Sequence, residues 1–192
     1  MSRDFNMKLA NISELSELKN NVIIRMKNFT DSKDERFFSD TQISKLTKIQ
    51  ISFLSNNSIS RHGLTTNLDK TQKISPDNCQ VKLNRNLLQK EYLKYAEFVL
   101  FHEYLHCLGN FSHDKNFRQL ENIWPEKKKM NAIGKELTRD LQEKKSQWAW
   151  TCSKCGYIVK RSTRKFRSNY FHKECLGKLR NIPIIHPTSS EH

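Results

Sequence analysis

His102, Glu103 and His106 form the pattern His-Glu-x-x-His, carried by the apolar run from Tyr95 to Phe101. Two histidines four residues apart on a helix stand one above the other on the same face. Both imidazoles can then reach one metal ion, with Glu103 beside them as the general base of a zinc hydrolase. A wet helix face that happens to carry two histidines would show the same spacing. The remainder of the chain therefore has to supply a third ligand, a scaffold and a substrate.

A catalytic zinc takes three protein ligands and keeps one position open. The next candidate is His113, which follows a short turn, with Ser112 placed as the cap of a new helix. Phe117, Leu120 and Ile123 give that helix a packing face, and Pro125 stops it. Gly109 invites the metzincin pattern His-Glu-x-x-His-x-x-Gly-x-x-His. Its third histidine would fall at Ser112, one residue short of His113, so that class drops out.

A second group of ligand types lies further on. Cys152 and Cys155 form a Cys-x-x-Cys knuckle, and His172 and Cys175 a His-x-x-Cys pair separated from it by sixteen residues. Three thiolates and one imidazole make a closed, tetrahedral, structural zinc site, and the spacer suits a β-hairpin. The same stretch is strongly basic. Residues 144–180 hold eleven bases and one acid, Glu174, which is ten of the chain's fourteen net positive charges. Bases interleaved with aromatics suit a single-stranded nucleic acid, held by phosphate neutralisation and base stacking. The candidates are Lys154, Lys160, Arg161, Arg164, Lys165 and Arg167 with Trp150 and Tyr170, about half of the aromatics in the segment being needed to pack it.

The elements that must position these groups can be read from periodicity. Leu15, Leu18, Val22 and Met26 recur at helical spacing from a start near Ser13. Residues 28–44 read as an irregular segment with room for a short helix. Ile49, Ile51 and Phe53 alternate as a strand, residues 61–66 suggest a second, and residues 79–84 a third. A helix over about residues 89–108 follows, buried through Tyr92, Tyr95, Ala96, Val99 and Leu100 and ended by Gly109. Cys107 points about 100° around the helix from His106 and reads as a small buried residue. His62 reads as a histidine without a ligand role. Ile133, Leu137 and Leu141 give the charged connector one thin helical stripe.

His-Glu-x-x-His, a short turn and His-x-x-x-Phe, followed by the ribbon closing His-x-x-Cys-x-Gly-Lys, resemble the SprT/Spartan-like zinc metalloprotease family. The first block spans about residues 47–125. The resemblance implies an α+β fold: a small zincin-like domain with a short three-stranded sheet packed on helices, then a zinc ribbon. It implies one catalytic zinc on His102, His106 and His113, with Glu103 catalytic, and one structural zinc on Cys152, Cys155, His172 and Cys175. It also implies DNA-dependent cleavage of proteins bound or crosslinked to DNA, with single strands or single/double-strand junctions as the DNA partner. The alternative is a nucleic-acid-binding, transcription- or repair-associated protein with little or no protease activity. Being short beside the larger eukaryotic members, the chain is expected to lack appended ubiquitin- or clamp-binding modules.

The expected layout is a protease domain at 1–125, a charged helical connector at 126–147, a zinc ribbon at 148–180 and an unstructured tail at 181–192. With 192 residues, 36% of them hydrophobic and 28% charged, the core is modest. No apolar run approaches the roughly eighteen residues of a membrane span. The N-terminus lacks an apolar leader, and five cysteines are an odd number for a disulfide framework. An intracellular monomer is expected, cytoplasmic or nucleoid-associated, or nuclear in a eukaryote, with no membrane partner.

Overall fold

A computed structural model describes residues 2–30, 33–162, 164 and 170–184, with side chains from residue 13 onward. It is α+β and divides into two compact units, residues 1–135 and 136–192. No helix among the described residues is long and apolar enough to cross a membrane.

The first unit opens with helix α1 (Ser2–Asn28), which starts well before Ser13. Of its expected stripe, Leu18, Val22 and Met26 are buried and Leu15 is half-buried. Helix α2 (Asp40–Leu46) has a full capping box. The Ser39 hydroxyl takes the Gln42 amide, and the Gln42 side chain returns to the Ser39 amide. Strands β1 (Gln50–Phe53), β2 (Gly63–Asn67) and β3 (Cys79–Leu83) form one sheet in the order β1-β3-β2. β1 runs parallel to β3, with Ile51 opposite Val81, and β2 runs antiparallel, with Thr65 opposite Val81. Cys79, Val81 and Leu83 alternate into the core.

Two short 3-10 turns, Arg85–Leu88 and Lys90–Tyr92, lead into α3 (Leu93–Cys107). This helix packs on α1 and on β2 and β3. Being covered on more than one side, it buries Phe98, Phe101, Tyr104 and Leu105 beyond the single stripe read from the sequence. Its ring contacts run through Trp124, 5.0 Å from the Phe101 ring and 6.1 Å from that of Phe98. Helix α4 (Lys115–Glu121) follows.

Helix α5 (Lys127–Lys145) passes from the first unit into the second. In the second unit β4 (Trp148–Cys152) is the central strand between β5 (Ile158–Arg161) and β6 (Leu179–Pro183), both antiparallel to it. β6 corrects the expected tail. Residues 181–183 belong to the sheet, Asn181 lying opposite Trp150 and Pro183 opposite Trp148. Proline is tolerated because β6 is an edge strand that ends there. The rest of the expected tail, 185–192, lies outside the described residues.

Candidate metal centres and nucleic-acid surface

The first centre is built from α3 and the turn after it. His102 and His106 project from one face of the helix, and their Nε2 atoms stand 3.2 Å apart. His113 Nε2 lies 3.1 Å from that of His102. The three ligand atoms fall within 4.8 Å of one another. Their other bonds suit a candidate metal site. His106 Nδ1 donates to the Asn110 carbonyl at 2.7 Å, and His102 Nδ1 donates to the Glu121 carboxylate at 2.7 Å. With Nδ1 committed in this way, each ring turns its Nε2 toward the other, and a metal would take the lone pair of each. Separations near 3.2 Å suit Zn–N bonds of about 2.0–2.1 Å.

Local chemistry sets this arrangement. Gly109, at φ 97°, turns the chain so that the Asn110 carbonyl meets His106, while the Asn110 amide and side chain cap the Leu105 carbonyl. The helix cap expected at Ser112 is instead Asp114. Its Oδ1 accepts from the Phe117 amide at 2.9 Å, and Ser112 donates to its other oxygen. A carboxylate is the stronger acceptor for an amide at a helix start, so His113 sits in the turn before α4. Phe117 is fully buried and floors the centre, its ring 4.7–4.9 Å from each of the three imidazoles. Burial leads the lowering of the His106 and His113 pKa values, which favours the neutral rings a metal requires.

Glu103 points to the sheet side of α3 and is buried. Thr65 Oγ1, on β2, lies 2.8 Å from its Oε2. Burial raises its pKa, opposed by Thr65, His102 and Arg61. Oε1 faces Gly63, where an added Cβ would lie 2.5 Å from it. A cleft lined by Leu64, Ile74 and Phe111 opens beside the three histidines, and a second, lined by Arg61 and Arg118, opens beside Glu103. His62 is not among the ligands. Its Nδ1 is hydrogen-bonded to the Tyr95 hydroxyl at 2.8 Å. Cys107 is fully buried.

Sequence reasoning missed Thr65, Gly63 and Glu121. Glu121 is 3% exposed, and its two oxygens take His102, Arg118 (2.8 Å) and Lys127 (2.6 Å). Burial would raise its pKa, but these bonds more than offset that and hold the carboxyl below the ordinary range.

The second centre gathers Cys152, Cys155, His172 and Cys175, with all ligand atoms within 4.8 Å of one another. The histidine uses Nδ1, 3.2 Å from both Cys155 and Cys175 Sγ, and Cys152 Sγ lies 3.4 Å from Cys175 Sγ. Amides of Cys155 and Lys154 at the knuckle bring the Cys152 thiol down to about 6, toward the thiolate a metal needs. Gly156, at φ 73°, turns the first knuckle, and the Tyr157 ring stacks on His172 at 4.4 Å.

Trp148, Trp150 and Arg161 share one face of the ribbon sheet, because antiparallel partners point to the same side. Arg161 lies over the Trp150 ring, Arg164 over that of Trp148, and Tyr170 stacks on Trp150 at 4.9 Å. Trp150 is buried, and its indole N–H donates to Asn181 at 2.6 Å. That corrects its reading as a base-stacking residue: it is core, and among the described residues of the ribbon the exposed rings are Tyr157, Tyr170 and Phe171. Lys160 sits on the opposite face, paired with Glu143 at 3.3 Å, and Lys154 is exposed in the knuckle. Lys165 and Arg167 lie outside the described residues.

No protein-family model, curated protein or solved structure matches the chain.

Proposed function

We propose that the chain is a zinc-dependent endopeptidase of SprT-like, zincin type, acting on proteins bound or crosslinked to DNA. The observation that carries the hydrolase reading is the convergence of three histidine Nε2 atoms beside a buried glutamate in an open cleft. A bound zinc would act there as a Lewis acid, acidifying water and polarising a carbonyl oxygen. His102, His106 and His113 would hold it. Glu103 is the general base: Thr65 occupies Oε2, which leaves Oε1 to take a proton from water and return it to the leaving amine. In this reading the cleft along Gly63, Leu64 and Thr65 receives the peptide. Cys152, Cys155, His172 and Cys175 hold a second, structural zinc, and DNA binds the basic ribbon through phosphate contacts and exposed rings such as Tyr170.

The test is metal content together with cleavage of a DNA-bound protein, with and without single-stranded DNA. Two zincs and DNA-stimulated cleavage are expected. Glu103→Gln should keep both zincs and lose cleavage. A Glu103→Gln chain cutting at the wild-type rate would overturn the mechanism, and DNA binding without any cleavage would leave a nucleic-acid-binding protein.

A further inference from the structure

The three histidines of the first centre are not supported alike. His102 donates through Nδ1 to the Glu121 carboxylate, and His106 donates to a neutral backbone carbonyl. His113 is exposed and makes no hydrogen bond through its other ring nitrogen to any described residue. The support is thus anionic, neutral and absent in turn.

Glu121 belongs to none of the motifs in the sequence. It lies at the end of α4, eight residues beyond His113, and is almost wholly buried. A buried carboxylate is costly unless its lone pairs are filled. Here they are filled with an arrangement that leaves little freedom. Arg118, one turn earlier on α4, and Lys127, the first residue of α5, both hold Oε2. Among the described residues, Oε1 is left for His102. Arg118 is half exposed and Lys127 largely covered, so the clamp reaches in from the surface to the ligand.

We infer that Glu121 is the positioning residue of this metal centre, fixing the His102 tautomer and ring so that His102 is the strongest of the three ligands and His113 the weakest. The inference rests on the reading that the three histidines hold one metal ion. A carboxylate on the far nitrogen makes the metal-facing nitrogen a better donor and removes ring rotation that binding would otherwise have to freeze. The carbonyl on His106 fixes its ring without adding charge, and no hydrogen bond from a described residue fixes the far nitrogen of His113. Arg118 and Lys127 keep the carboxylate from turning away to solvent.

The experiment titrates the metal-stripped full chain with cobalt(II). Nitrogen-ligated cobalt at the histidine centre and thiolate-ligated cobalt at the ribbon absorb at different wavelengths, so each site is read separately. Glu121→Ala should weaken cobalt binding at the histidine centre about 10–100-fold and leave the ribbon site unchanged. Glu121→Gln keeps the shape and an acceptor oxygen but not the charge, and should show a smaller loss; it decides the matter if the alanine variant does not fold. His102→Ala should cost more affinity than His113→Ala. A merely structural Glu121 would lower the melting temperature of the metal-free chain without moving cobalt affinity or the nitrogen-site spectrum. That result, or His113→Ala proving the costlier change, overturns the inference and leaves the three-histidine reading intact. A wild-type chain that binds cobalt only at the ribbon overturns both.

Discussion

Gly63→Ala tests whether the open side of Glu103 is a steric requirement. Gly63 begins β2, and its added Cβ would lie 2.5 Å from Glu103 Oε1, 2.8 Å from Glu103 Cγ and 2.8 Å from Val99 Cγ1. Carbon–carbon contacts are comfortable near 3.5–4.0 Å, so the overlaps approach 1 Å on about three atoms. The neighbours cannot give way cheaply. Val99 is buried and β-branched on a helix, with one strongly preferred rotamer. Glu103 can swing aside only by losing Thr65, 2.8 Å from its Oε2. Overpacking of this kind costs about 1–3 kcal/mol, a roughly 5- to 150-fold fall in the folding constant. For a unit of this size that corresponds to a melting temperature lower by roughly 3–12 °C. Because Glu103 is displaced and the histidines are not, cleavage should fall about tenfold or more while both zincs remain. The assay is a calorimetric melt with metal content and cleavage measured on the same preparation. A Gly63→Ala chain that melts within about 1 °C of wild type and cleaves at the wild-type rate would refute the argument.

Chelation should separate the two units. Amides of β4 and β6 should lose hydrogen-exchange protection when metal is removed, because a small ribbon folds largely on its zinc; amides of β1 and β3 should keep theirs, the core around Val81, Phe101 and Leu105 being held by apolar burial. Equal loss in both would contradict this. Acid should weaken the first unit partly through His62. Burial, opposed by a hydrogen bond to the Ile59 backbone, lowers its folded pKa from about 6.5, and Tyr95, pushed up to about 12 by burial, stays a neutral hydroxyl beside it. The unfolded chain then binds the proton more readily. This contribution is fully present above about pH 6.5 and is lost as pH falls below it. Urea unfolding at pH 7.5 and 5.5 should show a smaller pH difference for His62→Gln than for wild type, and an unchanged difference would remove His62 from the account.

The sequence by itself determined what depends on short spacing along the chain. Four residues of helix bring His102 and His106 to one side, two residues of knuckle bring Cys152 to Cys155, and alternation marks Val81 and Leu83 as core. His113 was legible because one turn separates it from α3. The tertiary structure alone decided the rest, because the partners come from different elements and share no periodicity. Thr65 and Gly63 reach Glu103 from a strand 38 and 40 residues earlier, and Glu121 reaches His102 from the far end of another helix. Trp150 shows the same limit in reverse. Its aromatic type and basic surroundings suit a ligand surface equally well. It became core only when β6, whose alternation is short and interrupted by Pro183, placed Asn181 opposite its indole. Hydrogen-bond partners and burial are properties of neighbours in space, and those are fixed only when the sheet and helices close on one another.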